Sequence, residues 1–140
     1  MPNEFARNQQ DKLVNPVPFA LPAAASTSTN STVVDFGPDI FKPENVELEL
    51  AVPALSTTIV PNASTVTLVI ESSTDSAFGS IARTIASKTL TGTGGAGVAL
   101  SDPLRARLPS NCERYVRFKV TFGASTTTGA ALNATGSVRF

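Results

Sequence analysis

The chain has 140 residues, with 11 basic and 11 acidic side chains, so its formal net charge is zero and only 16% of it is charged. It holds no His, no Trp, one Cys and one Tyr, whereas Ser and Thr together supply 31 residues. These counts exclude a Ser-His-Asp or Cys-His catalytic arrangement, a His-ligated metal, an internal disulfide and a cysteine zinc cluster. The neutral balance gives no overall pull toward nucleic acid or an anionic membrane. No apolar run approaches the ~18 residues of a transmembrane span. Met1-Pro2-Asn3-Glu4 lacks the basic and apolar regions of a secretory signal, so synthesis and use in a reducing cytoplasm, or in something assembled there, are expected. The length is that of one domain.

The pattern divides near residue 32. Residues 1–31 carry Pro2, Pro16, Pro18 and Pro22, then the low-complexity run Ala23 to Ser31. Prolines favour extended backbone, and no helical or strand period survives there. Yet the segment also carries Leu13, Val14, Val17, Phe19 and Leu21. It reads either as a floppy leader or as an extended N-terminal arm that orders against a neighbouring subunit. On the second reading those five residues are the candidate contacts.

From residue 32 to 140 the period is two, the mark of half-buried strands. Thr32–Phe36 is a short candidate. Val46, Leu48, Leu50 and Val52 alternate with Glu47, Glu49 and Ala51. Val66, Leu68 and Ile70 alternate with Thr65, Thr67 and Val69. Ser80–Ile85 and Val98–Leu100 are short candidates, and Leu104, Ala106 and Leu108 alternate with Arg105 and Arg107. Val116, Phe118, Val120 and Phe122 alternate with Tyr115, Arg117, Lys119 and Thr121, the strongest pattern in the chain. Ala134–Phe140 closes the series. Gly, Pro and Asn punctuate the gaps. About eight short strands without a helical stripe predict an all-β sandwich, jelly roll or small barrel.

Charge is uneven along the chain. Residues 1–71 hold eight acids and three bases, net −5, and residues 72–140 hold three acids and eight bases, net +5. Glu47 and Glu49 opposite Arg117 and Lys119 would explain this by cross-strand pairing. Head-to-tail attraction between copies, or a basic patch facing an acidic partner, is the sharper alternative.

Few residues point to chemistry. Gly92 to Gly97 is followed by strand-like Val98-Ala99-Leu100 rather than a helix, so it reads as a flexible loop between strands and not a phosphate cradle. Asp35 and Asp39 around Gly37-Pro38 read as turn formers. Cys112 has a basic neighbour but no His to act as its base. Arg105, Arg107, Arg114, Arg117, Lys119 and Arg139 lack the interleaved aromatics of a nucleic-acid face, Tyr115 being nearly alone among them. The residues favour protein–protein adhesion, with no catalysis, cofactor, metal, direct nucleic-acid or membrane contact.

Several stretches add a resemblance. They are Ser31-Thr32-Val33-Val34-Asp35-Phe36-Gly37, Val46 to Val52, Ser64 to Phe78, Leu108-Pro109 and Arg114 to Phe122. In this order the last 110 or so residues resemble the capsid cement (decoration) proteins of tailed bacteriophages, of the Bordetella podovirus type. The matching series is S-T-x-V-D-x-G, then V-T-hydrophobic with S-x-D-x-A-F, then R-Y-hydrophobic-R. Residues 1–30 find no match in it.

The resemblance implies a jelly-roll-like antiparallel β-sandwich. It also implies a virion protein, made in the host cytoplasm, that sits on the outer capsid surface and bridges neighbouring major capsid protein subunits. A homo-oligomer, dimer or trimer, goes with this. By matched position, Arg114, Tyr115 and Arg117 are expected to fix the sheet and to contribute to an interface. Receptor or glycan binding at the virion surface, or a head-fibre or tail component, is the alternative.

Overall fold

The computed structural model describes residues 16–37, 46–81, 83–99, 102–124, 126–129 and 131–139. Among these residues nine strands run in chain order. They are β1 (Val17–Ala20), β2 (Ser28–Asn30), β3 (Val34–Asp35), β4 (Glu47–Ala51), β5 (Thr65–Ser73), β6 (Arg83–Thr91), β7 (Leu104–Arg107), β8 (Tyr115–Phe122) and β9 (Asn133–Arg139). They build two antiparallel sheets. Sheet A has the order β1-β9-β4-β7; sheet B has β2-β8-β5-β6, with β3 also on β8, beside β2.

The pairing is that of a jelly roll. β1 pairs β9, β2 and β3 pair β8, β4 pairs β7, and β5 pairs β6. This is one long hairpin, nested four pairs deep, with its tip between β5 and β6. Rolling it up adds the β4–β9 and β5–β8 ladders and closes two sheets over one core. Since β2 and β3 share one lateral position, the nine strands fill eight places.

β8 shows why the alternating sequence becomes a sandwich. Val116, Phe118, Val120 and Phe122 are buried, and the residues between them are half-buried. Leu48 and Leu50 of β4, Val66, Leu68 and Ile70 of β5, and Ala134 and Val138 of β9 complete the interior from both sheets. Gly136 lies in β9 where a Cβ would run into the ring of Phe118. A side chain there would hold the two sheets apart. Gly97, at φ +65°, packs just as closely on the Leu55 carbonyl and closes the glycine-rich turn. That turn is pinned by Thr93 N–H to Gly97 O at 2.9 Å and Gly97 N–H to Thr93 O at 3.1 Å. It is a hydrogen-bonded corner rather than the loose loop its composition implies.

Several sequence expectations need correction. The boundary at residue 32 falls in the wrong place, because β1 and β2 are strands of the chain's own sheets. Phe19 and Leu21 are core residues. Thr32–Phe36 shrinks to Val34–Asp35 because Ser31, not a full strand, bonds the middle of β8. Ser80–Ile85 becomes Arg83–Thr91, and Val98 makes only an isolated bridge to Leu55. Leu13, Val14, Asp39, Leu100 and Phe140 lie outside the described residues.

Replacing Gly136 with Val should overpack the contact between the sheets and lower unfolding stability by about 1–3 kcal/mol. Trimming the facing ring with Phe118→Leu should then cost less in the Gly136→Val protein than in the parent. A double-mutant cycle in urea measures this, and additive effects would show that the two residues do not meet.

Candidate interaction surface

Three of the stretches that carry the resemblance, those at 31–37, 64–78 and 114–122, meet at one end of sheet B, whereas Val46 to Val52 runs along β4 of sheet A. Ser31 Oγ accepts the Phe118 N–H at 3.0 Å and donates to Thr32 O at 2.8 Å. Asp35 Oδ1 accepts the Gly37 N–H at 2.8 Å, making the turn expected of it. The same carboxylate takes Arg114 in a two-pronged pair, Nε to Oδ1 at 2.7 Å and Nη2 to Oδ2 at 2.8 Å. The Arg114 guanidinium also lies 5.0 Å from the centre of the Tyr115 ring.

One register step along β8, Arg117 faces Glu71 of β5. Arg117 Nη2 meets Glu71 Oε1 at 2.6 Å, and the two side chains are only 16% and 5% exposed. The cover is the loop after β5. Phe78 stacks on Arg117, with the guanidinium carbon 4.3 Å from its ring centre. This is why β5 stops alternating and is buried on both faces from Ile70 to Ser73.

The loop is held by its own polar groups. Ser73 Oγ accepts Asp75 N–H at 3.0 Å and donates to Ser80 O at 2.7 Å. Asp75 carboxylate oxygens accept Ala77 N–H at 2.9 Å and Gly79 N–H at 3.2 Å. These bonds to Ala77 and then Gly79 hold the Asp75 carboxyl below its ordinary 3.8. They also hold Phe78 at φ +53°, a region a bulky side chain seldom occupies unaided. Thus the S-x-D-x-A-F and R-Y-x-R stretches form one structural unit, a clasp over a buried ion pair.

The charge asymmetry is explained by cross-strand pairing, but with other partners than expected. Glu47 and Glu49 are on sheet A, whereas Arg117 and Lys119 are on sheet B. β4 lies between β7 and β9. Glu49 is held by Arg105 at 2.9 Å and by Arg139 at 3.1 Å, and Glu47 lies 3.7 Å from Arg105. The acidic half of the sequence is thereby sewn to the basic half within one molecule.

Of the candidate contacts, Val17 is half-buried opposite Gly136, and Phe19 and Leu21 are buried in the chain's own core. Arg114, Tyr115 and Arg117 come together along β8, where Arg114 and Arg117 are engaged within the chain.

The outward face of sheet B stands out instead. Ser28, Thr121, Thr67 and Thr89 are register partners in succession on β2, β8, β5 and β6. Their hydroxyls form a row across the sheet, with Ser28 to Thr121 at 2.8 Å and Thr67 to Thr89 at 3.4 Å. Asn30, Lys119, Val69 and Ser87 make the adjoining row. Parity placed Thr67 and Thr121 outward from sequence alone, but the four-strand row needs the register. Glu71, Phe78 and Ser31 were also missed as organising residues, since none has a distinctive type.

Cys112 is buried, and its thiol donates to the Glu113 carbonyl at 3.3 Å. Among the described residues no group of three or more Cys, Asp or Glu side chains could hold a metal ion. No described helix is long and apolar enough to cross a membrane. The sequence matches no family model and no curated protein.

Removing one partner of the buried pair, by Arg117→Met or Glu71→Gln, should cost about 3–5 kcal/mol. Glu71→Leu together with Arg117→Met should recover most of it, as read from denaturant midpoints. Asp75 gives a separate pH signature. Because its folded carboxyl titrates below 3.8, its contribution is present above that value and lost as pH falls through the lower folded value. The Ala77 and Gly79 amide resonances should therefore titrate with a midpoint below 3.8, and a midpoint at or above it would contradict the clasp.

Proposed function

We propose that the chain is a structural adhesion protein of a bacteriophage particle. It binds the outer capsid surface as a homo-oligomer and cements neighbouring subunits of the major capsid protein around the DNA-filled head. The observation that carries this reading is the broad outer face of sheet B. Its hydroxyl row presents groups that both donate and accept hydrogen bonds. Little charge has to be desolvated when another protein covers it. Contacts of this kind are weak singly and strengthen when one particle offers many identical sites. The order of the stretches described above supports the same role.

The candidate arm is narrowed by the fold. Val17, Phe19 and Leu21 serve the chain's own sandwich, so within residues 1–31 the candidates for reaching a capsid neighbour are Leu13 and Val14.

Mass spectrometry of purified particles tests the proposal. Hundreds of copies per particle are expected; a handful would point to a fibre or tail component, and none would remove the virion role. Deleting residues 1–15 should weaken binding to shells of the major capsid protein while leaving the melting temperature unchanged. Deleting residues 1–22 should unfold the domain, because it removes β1, Phe19 and Leu21.

A further inference from the structure

Among the described residues four strand edges bound the two sheets, and three are blunted. β1 ends one side of sheet A. There Leu21 N–H bonds Leu132 O at 3.0 Å, so the alternation of the ladder turns position 18 outward. That position is Pro18, which has no N–H to offer an added strand. β7 ends the other side with four residues, between Pro103 and Pro109. On sheet B, the edge beside β8 is broken between β2 and β3.

The fourth edge is β6, with nine residues, no proline, and no described strand on its outer side. An edge of that length invites pairing unless charge or a bulge protects it. The bulge in the β5–β6 register falls between Ile70 and Glu71, which leaves Ala86–Thr91 regular. The two basic residues of β6 are drawn back onto their own chain. Arg83 Nη1 donates to Asn111 Oδ1 at 2.7 Å, and Lys88 Nζ donates to Asp102 O at 2.9 Å.

Gly92 N–H bonds Ser64 O at 2.8 Å, next to the Thr65–Thr91 pair. Alternation from that bond turns the amides and carbonyls of Thr91, Thr89 and Ser87 away from β5, toward the open edge.

We infer that Ser87–Thr91 pairs antiparallel with the same segment of a second copy, about a two-fold axis at Thr89. The symmetric register satisfies the outward groups with about six main-chain hydrogen bonds. It sets Thr89 against Thr89, Ser87 against Thr91 and Lys88 against Leu90, so no charge faces its like. It also joins the two hydroxyl rows into one, running from Ser28 of one copy to Ser28 of the other. A flat face doubled in width is the kind of surface the proposed role calls for. The dimer itself does not depend on the capsid reading, and failure to find the chain on particles would leave it standing.

Sedimentation equilibrium on the full chain tests it, and a dimer is expected. Ser87→Glu with Thr91→Glu puts acid against acid at both symmetric rungs and should weaken the dimer about tenfold. Ser87→Glu with Thr91→Lys sets opposite charges at the same rungs and should bring the affinity back to the parent's. All these side chains are exposed, so melting temperatures should stay level when compared at concentrations low enough to keep every variant monomeric. Independently, Thr89→Cys should be joined to its copy by a short bismaleimide. Thr67→Cys, one strand further in, should not. A monomer at every concentration, a dimer weakened equally by both charge pairs, or equal cross-linking at positions 67 and 89 would each overturn the inference.

Discussion

The structure turns on the need to satisfy the backbone of β8 on both sides. Its inner face is packed with Val116, Phe118, Val120 and Phe122, so its amides and carbonyls lie in the middle of the sheet and cannot be left to water. β5 meets this need on one flank with an unbroken register from Val66–Phe122 to Ser73–Tyr115. The other flank is assembled from pieces. Phe122 N–H bonds Thr27 O, β2 spans Thr121 to Lys119, Ser31 takes both the N–H and the carbonyl of Phe118, and β3 meets Val116 and Tyr115. Residues 27–36 are thus fixed by what β8 requires, with Val34 and Phe36 adding apolar anchors in the core.

The same requirement sets the topology. Once the segment before β4 lies along β8, the strand preceding it lies along the strand following β8, and β1 joins β9. Sequence-distant pairs are then stacked in nested order, and the ion pairs follow that order. Glu71 finds Arg117, Asp35 finds Arg114, and Glu49 finds Arg105 and Arg139. Exposed pairs of this kind contribute little each. The pair beneath Phe78 differs, because burial makes it costly to leave half made. Contacts so far apart in sequence also place the fold among slow folders, since long loops must close before any ladder forms.

What could be read from the sequence was whatever rests on apolar alternation. β4, the first part of β5, β7, β8 and β9 all show it, and all lie close to where period two puts them. β6 alternates only weakly. It is an edge strand whose Ser87, Thr89 and Thr91 have no core to face, so its second half carries no signal. β1 was hidden by Pro18, which reads as a breaker unless the strand is known to lie at an edge. β2 was hidden by low complexity. The charge pairing was right in kind and wrong in partners, because a partner is fixed by register, and register depends on the whole topology.

The residues behind the resemblance are therefore chiefly those with a structural task. Ser31 bonds the middle of β8, Asp35 holds a turn and an arginine, Asp75 holds Phe78, and Phe78 covers Arg117. Side chains so engaged can specify a fold without specifying what the fold adheres to. The face that remains is made of small hydroxyls whose positions come from backbone register across four strands. Ser28 and Thr89, at its two ends, lie outside those stretches altogether. A surface of this kind gains affinity by breadth and repetition rather than by an anchoring side chain. The edge that can widen it is β6, the longest edge among the described strands, and no proline stands in it.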